Sequence, residues 1–280
     1  MPSRPPILAT LFACAALCTS MPARETVLVI GDSLSREYQF EFSEFEDARN
    51  WVELLAVHRA EDFYFGSLET SDLGALAFIC DLFSPNDALC NAIGDDGELE
   101  RYRYNWAIPT YSAESYADDL TGGGTFESLI QDLINDDFDD VDSVVIFLGG
   151  NDIDRVYSSI YNGNSNTSNE IVAEVESNLE AIIDFVLDDT PDMRMVLVNT
   201  PHVGATPEVK GNYPNDPIRT ARVTTTLQRL DTNLRALATR RGIGYADILG
   251  LTIDLLPDDP YCLSGVPFIN QGSESGDALF

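Results

Sequence analysis

Two kinds of apolar pattern alternate along the chain. Thr26 to Ile30, Val144 to Leu148 and Met195 to Val198 are short, almost uninterrupted aliphatic runs and read as strands buried on both faces. Phe63 to Phe65 and Ile243 to Ala246 are weaker segments of the same kind. Between them the apolar positions fall at helical spacing. Val172, Val175, Leu179, Ile182 and Val186 form one stripe, with Glu174, Glu176 and Glu180 on the opposite side. Leu227, Leu230, Leu234 and Leu237 form another, which stops at Arg240-Arg241 with Gly242 just beyond. Both stripes read as packing faces rather than sites. The alternation of strand and helix predicts a three-layer α/β/α architecture, with helices covering both faces of a mostly parallel five-stranded sheet.

Two stretches break the pattern. Residues 66–100 read as an insertion over the carboxyl edge of the sheet, and Tyr157 to Asn169 as an interruption whose Tyr161 to Asn169 is a polar loop carrying a formal glycosylation sequon at Asn166. No internal repeat or long linker divides the rest, which reads as one domain over 24–280.

The chemistry sits where two strands end. Val27-Leu28-Val29-Ile30 runs directly into Gly31-Asp32-Ser33-Leu34-Ser35, and the strand at Val144 to Leu148 into Gly149-Gly150-Asn151-Asp152. In an open α/β sheet the carboxyl edge is where ligands bind. Ser33 is therefore a candidate nucleophile. Its own N–H and the Asn151 side-chain amide are candidate donors to a developing oxyanion.

Charge narrows the partners. The net charge is −31 and Lys210 is the one lysine, so the surface would repel nucleic acid and anionic membrane. Such a surface suits a salty or extracellular medium. The aspartate clusters at Asp95-Asp96 and Asp136 to Asp142 lack calcium-loop spacing and read as solvated acidic surface. The first 23 residues have the form of an export signal. Arg4 precedes an apolar stretch from Ile7 to Cys18, and small residues follow. That stretch is too short to span a bilayer, which argues against membrane insertion. Three cysteines remain beyond it. Cys80 and Cys90 could close a short loop in an oxidising compartment, leaving Cys262 without a partner.

The two turn sequences resemble the first and third blocks of the SGNH (GDSL-type) hydrolase family, in the family's order and behind the expected strands. The resemblance implies a flavodoxin-like sheet and a secreted enzyme that hydrolyses lipid, carbohydrate or small acyl esters with no metal or organic cofactor. It makes Ser33 the nucleophile and Asn151 an oxyanion donor. Asn105-Trp106-Ala107-Ile108-Pro109-Thr110 resembles the second block, with Thr110 where the family has a glycine, so the Thr110 N–H would complete the oxyanion hole. The chain departs from the pattern at its end: the family's Asp-x-x-His block is absent. Asp277 and Phe280 have that spacing, but phenylalanine stands in the histidine's place. The expectation is a chain truncated before that block. The alternative is a non-catalytic relative that binds a glycan or acylated polymer. Of the two histidines, His58 reads as a surface or helix-end residue, whereas His202 follows a strand on the correct edge of the sheet. Tyr102, Tyr104, Trp106 and Tyr111 flank the second block and could stack on a sugar, although packing is the plainer reading.

Overall fold

The computed structural model describes residues 24–38, 49–72, 98–122, 137–213, 216–256, 261–263 and 266–268. The export-signal segment, Cys80, Cys90, Asp95-Asp96 and residues 269–280 lie outside them.

Strand β1 (Glu25–Gly31) is followed by helix α1 (Trp51–His58) and the short strand β2 (Phe63–Tyr64). Strands β3 (Leu68–Asp72) and β4 (Glu98–Tyr102) pair antiparallel with each other, away from the main sheet. Then come β5 (Asn105–Ala107), α2 (Ala113–Thr121), β6 (Ser143–Phe147), α3 (Gly150–Tyr161) and α4 (Ser165–Asp189). Strand β7 (Arg194–Val198), α5 (Pro207–Asn212), α6 (Pro217–Arg241), β8 (Gly244–Ala246) and α7 (Leu249–Asp254) complete the layers, with a small antiparallel pair β9 (Tyr261–Leu263) and β10 (Val266–Phe268) beyond.

The main sheet runs β2-β1-β6-β7-β8, all parallel, with β5 also paired to β1. It holds six strands where five were expected, because two short strands share one position beside β1. β2 takes the amino half (Glu25↔Phe63, Thr26↔Tyr64) and β5 the carboxyl half (Val29↔Asn105 to Gly31↔Ala107). Between these two visits the chain leaves as the β3–β4 ribbon.

The strands alternate their side chains between two apolar layers, as pleating dictates. Leu28, Ile30, Val144, Ile146, Met195 and Leu197 are buried with the inner stripes of α2, α3, α4 and α6. Val27 and Val29 pack with Val52 of α1 and with Phe65 on the other face. The expected interruption at 157–169, with its polar loop at Tyr161 to Asn169, is corrected by the structure, which keeps only 162–164 outside the helices. Tyr157 to Tyr161 ends α3, and Ser165 to Asn169 is the first turn of α4. The polar residues belong to an exposed helix start, where the Asn164 side chain accepts from the Asn166 and Thr167 N–H groups.

Candidate active site

Three turns converge at the carboxyl edge because three strands are in register. Ala107 of β5, Gly31 of β1 and Phe147 of β6 form one row across the sheet. Ser33 lies two residues past that row, Thr110 three and Asn151 four.

The Ser33 turn is held from beneath. Asp32 Oδ1 accepts from the Leu34 N–H at 3.0 Å, and the Asp32 carbonyl accepts from Ser35 N at 2.9 Å and Arg36 N at 3.1 Å. Ser35 is fully buried; its hydroxyl accepts from the Trp51 indole N–H at 3.0 Å and its carbonyl from the Asn105 amide at 2.8 Å. Gly31 has no substitute here, since a Cβ would sit 2.7 Å from that of Ser35. With these anchors the turn is fixed while Ser33 itself stays partly exposed.

The Ser33 hydroxyl and N–H make no hydrogen bond among the described residues, and neither does the Thr110 N–H. Thr110 is exposed and has φ = 66°, the left-handed region that favours glycine. The Asn151 amide donates one hydrogen to the Tyr111 carbonyl at 2.8 Å, which leaves its second N–H available. Asn151 lies in the first turn of α3, whose N-cap, Gly149, supplies no side-chain acceptor. The positive end of that helix therefore opens on the same edge. Together these are unspent donors and an unspent hydroxyl on turns that leave one edge of the sheet, the groups that a negative charge developing on a carbonyl oxygen requires.

Two acids lie behind the donors. Asp32 and Asp152 are both buried. Burial raises the Asp32 carboxyl to about 7; the Leu34 N–H opposes the rise and the Asp152 charge adds to it. Burial also raises Asp152, opposed by the Ala113 N–H that its Oδ2 accepts at 2.9 Å. In the sequence Asp32 and Asp152 were only letters of the two turns. Their pairing depends on strand register, and the nearest sequence signal is an acid in each carboxyl-edge turn.

Neither histidine reaches Ser33. His58 is the exposed last residue of α1, a helix whose first residue, Trp51, contacts Ser35. Seven residues of helical rise, about 10 Å, carry it away from that contact. His202 is fully buried, with Nε2 3.0 Å from the Thr224 hydroxyl on α6. The same hydroxyl lies 3.1 Å from the Thr220 carbonyl, and the buried Nδ1 has no hydrogen-bond partner. Burial pushes the imidazole down to about 4.

Other expectations change character in the fold. Tyr104, Trp106 and Tyr111 are buried and cannot present faces to a sugar. Trp106 lies under the Arg101 guanidinium, 3.7 Å from its ring centre, and donates to Asp137. Of the acidic run at 136–142, Asp137 and Asp140 pair with Arg103, and Asp142 accepts from the Thr26 N–H. Among the described residues no group of three or more His, Cys, Asp or Glu side chains could hold a metal ion, and no helix is long and apolar enough to cross a membrane. Two cavities, about 460 and 520 Å³, lie along α6, away from Ser33, and are lined by residues such as Arg229 and Asn233 in one and Thr224 and Leu256 in the other.

A sequence profile described as the GDSL-like Lipase/Acylhydrolase family matches residues 96–265. That span includes Thr110 and Asn151 and begins after Ser33. No curated protein sequence matches the chain. Among solved structures, an extracellular lipase from Streptomyces rimosus is 13% identical, with 90% of each chain covered and a TM-score of 0.46. An acetyl xylan esterase is 13% identical over 82% of this chain and 79% of its own, with a TM-score of 0.37. A gut microbial diltiazem-metabolizing enzyme is 13% identical over 81% of this chain, with a TM-score of 0.42. The chain spans 37% of the length of that last protein.

Proposed function

The chain belongs to the GDSL-like lipase/acylhydrolase family, and from that premise we propose that it is a secreted serine ester hydrolase with Ser33 as its nucleophile. The observation that supports the reading is the aligned row of Ala107, Gly31 and Phe147, from which the turns carrying Ser33, Thr110 and Asn151 all leave at one edge of the sheet. Ser33 Oγ would attack the ester carbonyl. The carbonyl oxygen would take its negative charge among the N–H groups of Ser33 and Thr110 and the Asn151 amide. The alcohol would leave, and water would release the acid from the acyl-serine. Candidate substrates are lipid, carbohydrate or small acyl esters. The acidic surface and the form of the first 23 residues support work outside the cell.

A serine needs a proton acceptor to act at useful rates. Among the described residues no imidazole faces Ser33, which favours one second reading: a cleft that binds an acylated glycan without cleaving it. Incubating the full chain with acetyl and longer-acyl p-nitrophenyl esters separates the two. Turnover that disappears in Ser33→Ala supports the hydrolase. Turnover that survives in Ser33→Ala removes Ser33 from the mechanism. No turnover, with retained binding of an acetylated polysaccharide, establishes the binding reading.

A further inference from the structure

On the reading of Ser33 as nucleophile, we propose that Asn105 is its positioning residue. The Asn105 side-chain amide, donated to the Ser35 carbonyl, holds the Ser33 turn folded back onto β5, the strand that leads to Thr110.

Asn105 is the first residue of β5 and pairs with Val29, two positions before the row of Gly31 and Ala107. Ser35 lies four residues beyond Gly31, and an extended chain would carry it ~13 Å further out, at ~3.3 Å per residue. Yet Asn105 Nδ2 donates to the Ser35 carbonyl at 2.8 Å. The chain therefore reverses after Gly31. The Asp32 carbonyl closes the turn by accepting from the Ser35 and Arg36 N–H groups, and Ser35 comes back over β5. Ser33 stands midway along that reversal.

Further side-chain ties hold the returning limb. The Trp51 indole donates to the Ser35 hydroxyl at 3.0 Å, and the Asn50 amide to the Arg36 carbonyl at 2.5 Å. Glu53 accepts from the Tyr38 N–H at 2.9 Å, and Glu37 from the Tyr102 N–H at 2.7 Å. These partners lie at the start of α1 or at the end of β4, away from the oxyanion turns. Asn105 differs, because its own strand runs on to Thr110 three residues past Ala107. Of these ties, only the one from Asn105 joins the nucleophile turn to the segment that carries the Thr110 N–H.

Packing alone does not call for an amide here. Asn105 is fully buried, and its Oδ1 has no hydrogen-bond partner. A leucine would fill a similar volume without leaving a buried acceptor unmet. What the amide adds is the donor that reaches Ser35.

The test removes that donor from the full chain. Asn105→Ala and Asn105→Leu should each lower kcat on p-nitrophenyl acetate by on the order of 10–10², the scale of loss that a small misplacement of a reacting group brings. KM should stay within about twofold of the wild-type value, since ground-state binding is not what the tie supplies. An unchanged kcat, or a change confined to KM, would overturn the proposal. Hydrogen exchange gives a readout independent of catalysis. The Ser35 and Arg36 amides should exchange at least ~10-fold faster in both variants, while the β6 and β7 amides keep their wild-type rates. No change at Ser35 and Arg36, or an equal rise throughout, would also overturn it. If the wild type turns over no ester, the esterase reading fails by itself, and exchange alone decides whether Asn105 holds the turn. Should neither variant fold, the wild type decides: an Asn105 Nδ2 hydrogen bonded to Ser35 should be protected from exchange, and exchange as fast as in an exposed asparagine would overturn the tie.

Discussion

Thr110 is the one described non-glycine residue with positive φ, at 66°, and it stands where the family pattern has glycine. A β-branched side chain in the left-handed region costs about 1–2 kcal/mol, while glycine loses roughly 0.5–1 kcal/mol more chain entropy on folding. Strain wins by a small margin. Thr110→Gly should therefore raise the unfolding free energy by up to about 1 kcal/mol in urea denaturation; a loss of stability would mean that the threonine side chain supports the turn by some other contact. Catalysis gives the complementary test at Asn151. Its free N–H is the one side-chain donor of the three, and Asn151→Ala should lower kcat on an acetyl ester by on the order of 10²–10³, the usual cost of one oxyanion donor. An unchanged kcat would show that the second N–H does not reach the oxygen. Ser33 and Asn151 could be singled out as candidates in the sequence because each follows a glycine turn behind a plain aliphatic strand. The Asp32–Asp152 relation could not, since only the register of β1 with β6 brings positions so far apart in sequence together.

At the scale of elements, legibility followed the length and uniformity of the apolar pattern. β1, β6 and β7 are rich in valine, isoleucine and leucine, and each was visible in the sequence. β5 is Asn105-Trp106-Ala107, too short and mixed to announce a strand, yet all three residues are buried and Asn105 anchors Ser35. The start of α4 was concealed by composition, because Ser165 to Asn169 are the residues of both an exposed first turn and a loop. The long stripes of α4 and α6 gave the firmest expectation, and each residue of the leucine stripe is buried. Leu230 is at 0% exposure, so Leu230→Ala should cost about 2–5 kcal/mol by thermal or denaturant unfolding. On the outer side of the same helix Ile218 is 72% exposed, and Ile218→Ser should change stability by less than about 0.5 kcal/mol. Similar losses at both positions would mean that the outer face of α6 is also packed.

For the whole molecule, the net charge of −31 sets two electrostatic effects against each other. Exposed arginines bridge helices locally: Arg155 pairs with Glu114 and Glu174, Arg240 with Glu176 and Glu180, and Arg241 with Glu180 and Asp184. Each such pair is worth about 0–1 kcal/mol and weakens as salt is added. The unbalanced carboxylates repel one another over the entire surface, and salt weakens that too. The Debye length shrinks from about 10 Å at 0.1 M to about 3 Å at 1 M, so long-range repulsion is lost before contacts at hydrogen-bond distance are. A few bridges cannot outweigh so large an excess, and the net effect of screening should be stabilising. Tm should therefore rise between 0.05 and 1 M NaCl. Sodium chloride is the right probe because sulfate would also strengthen apolar burial by exclusion from the surface. A Tm that falls over this range would show that the arginine bridges, rather than the excess of aspartate and glutamate, govern the stability of the fold.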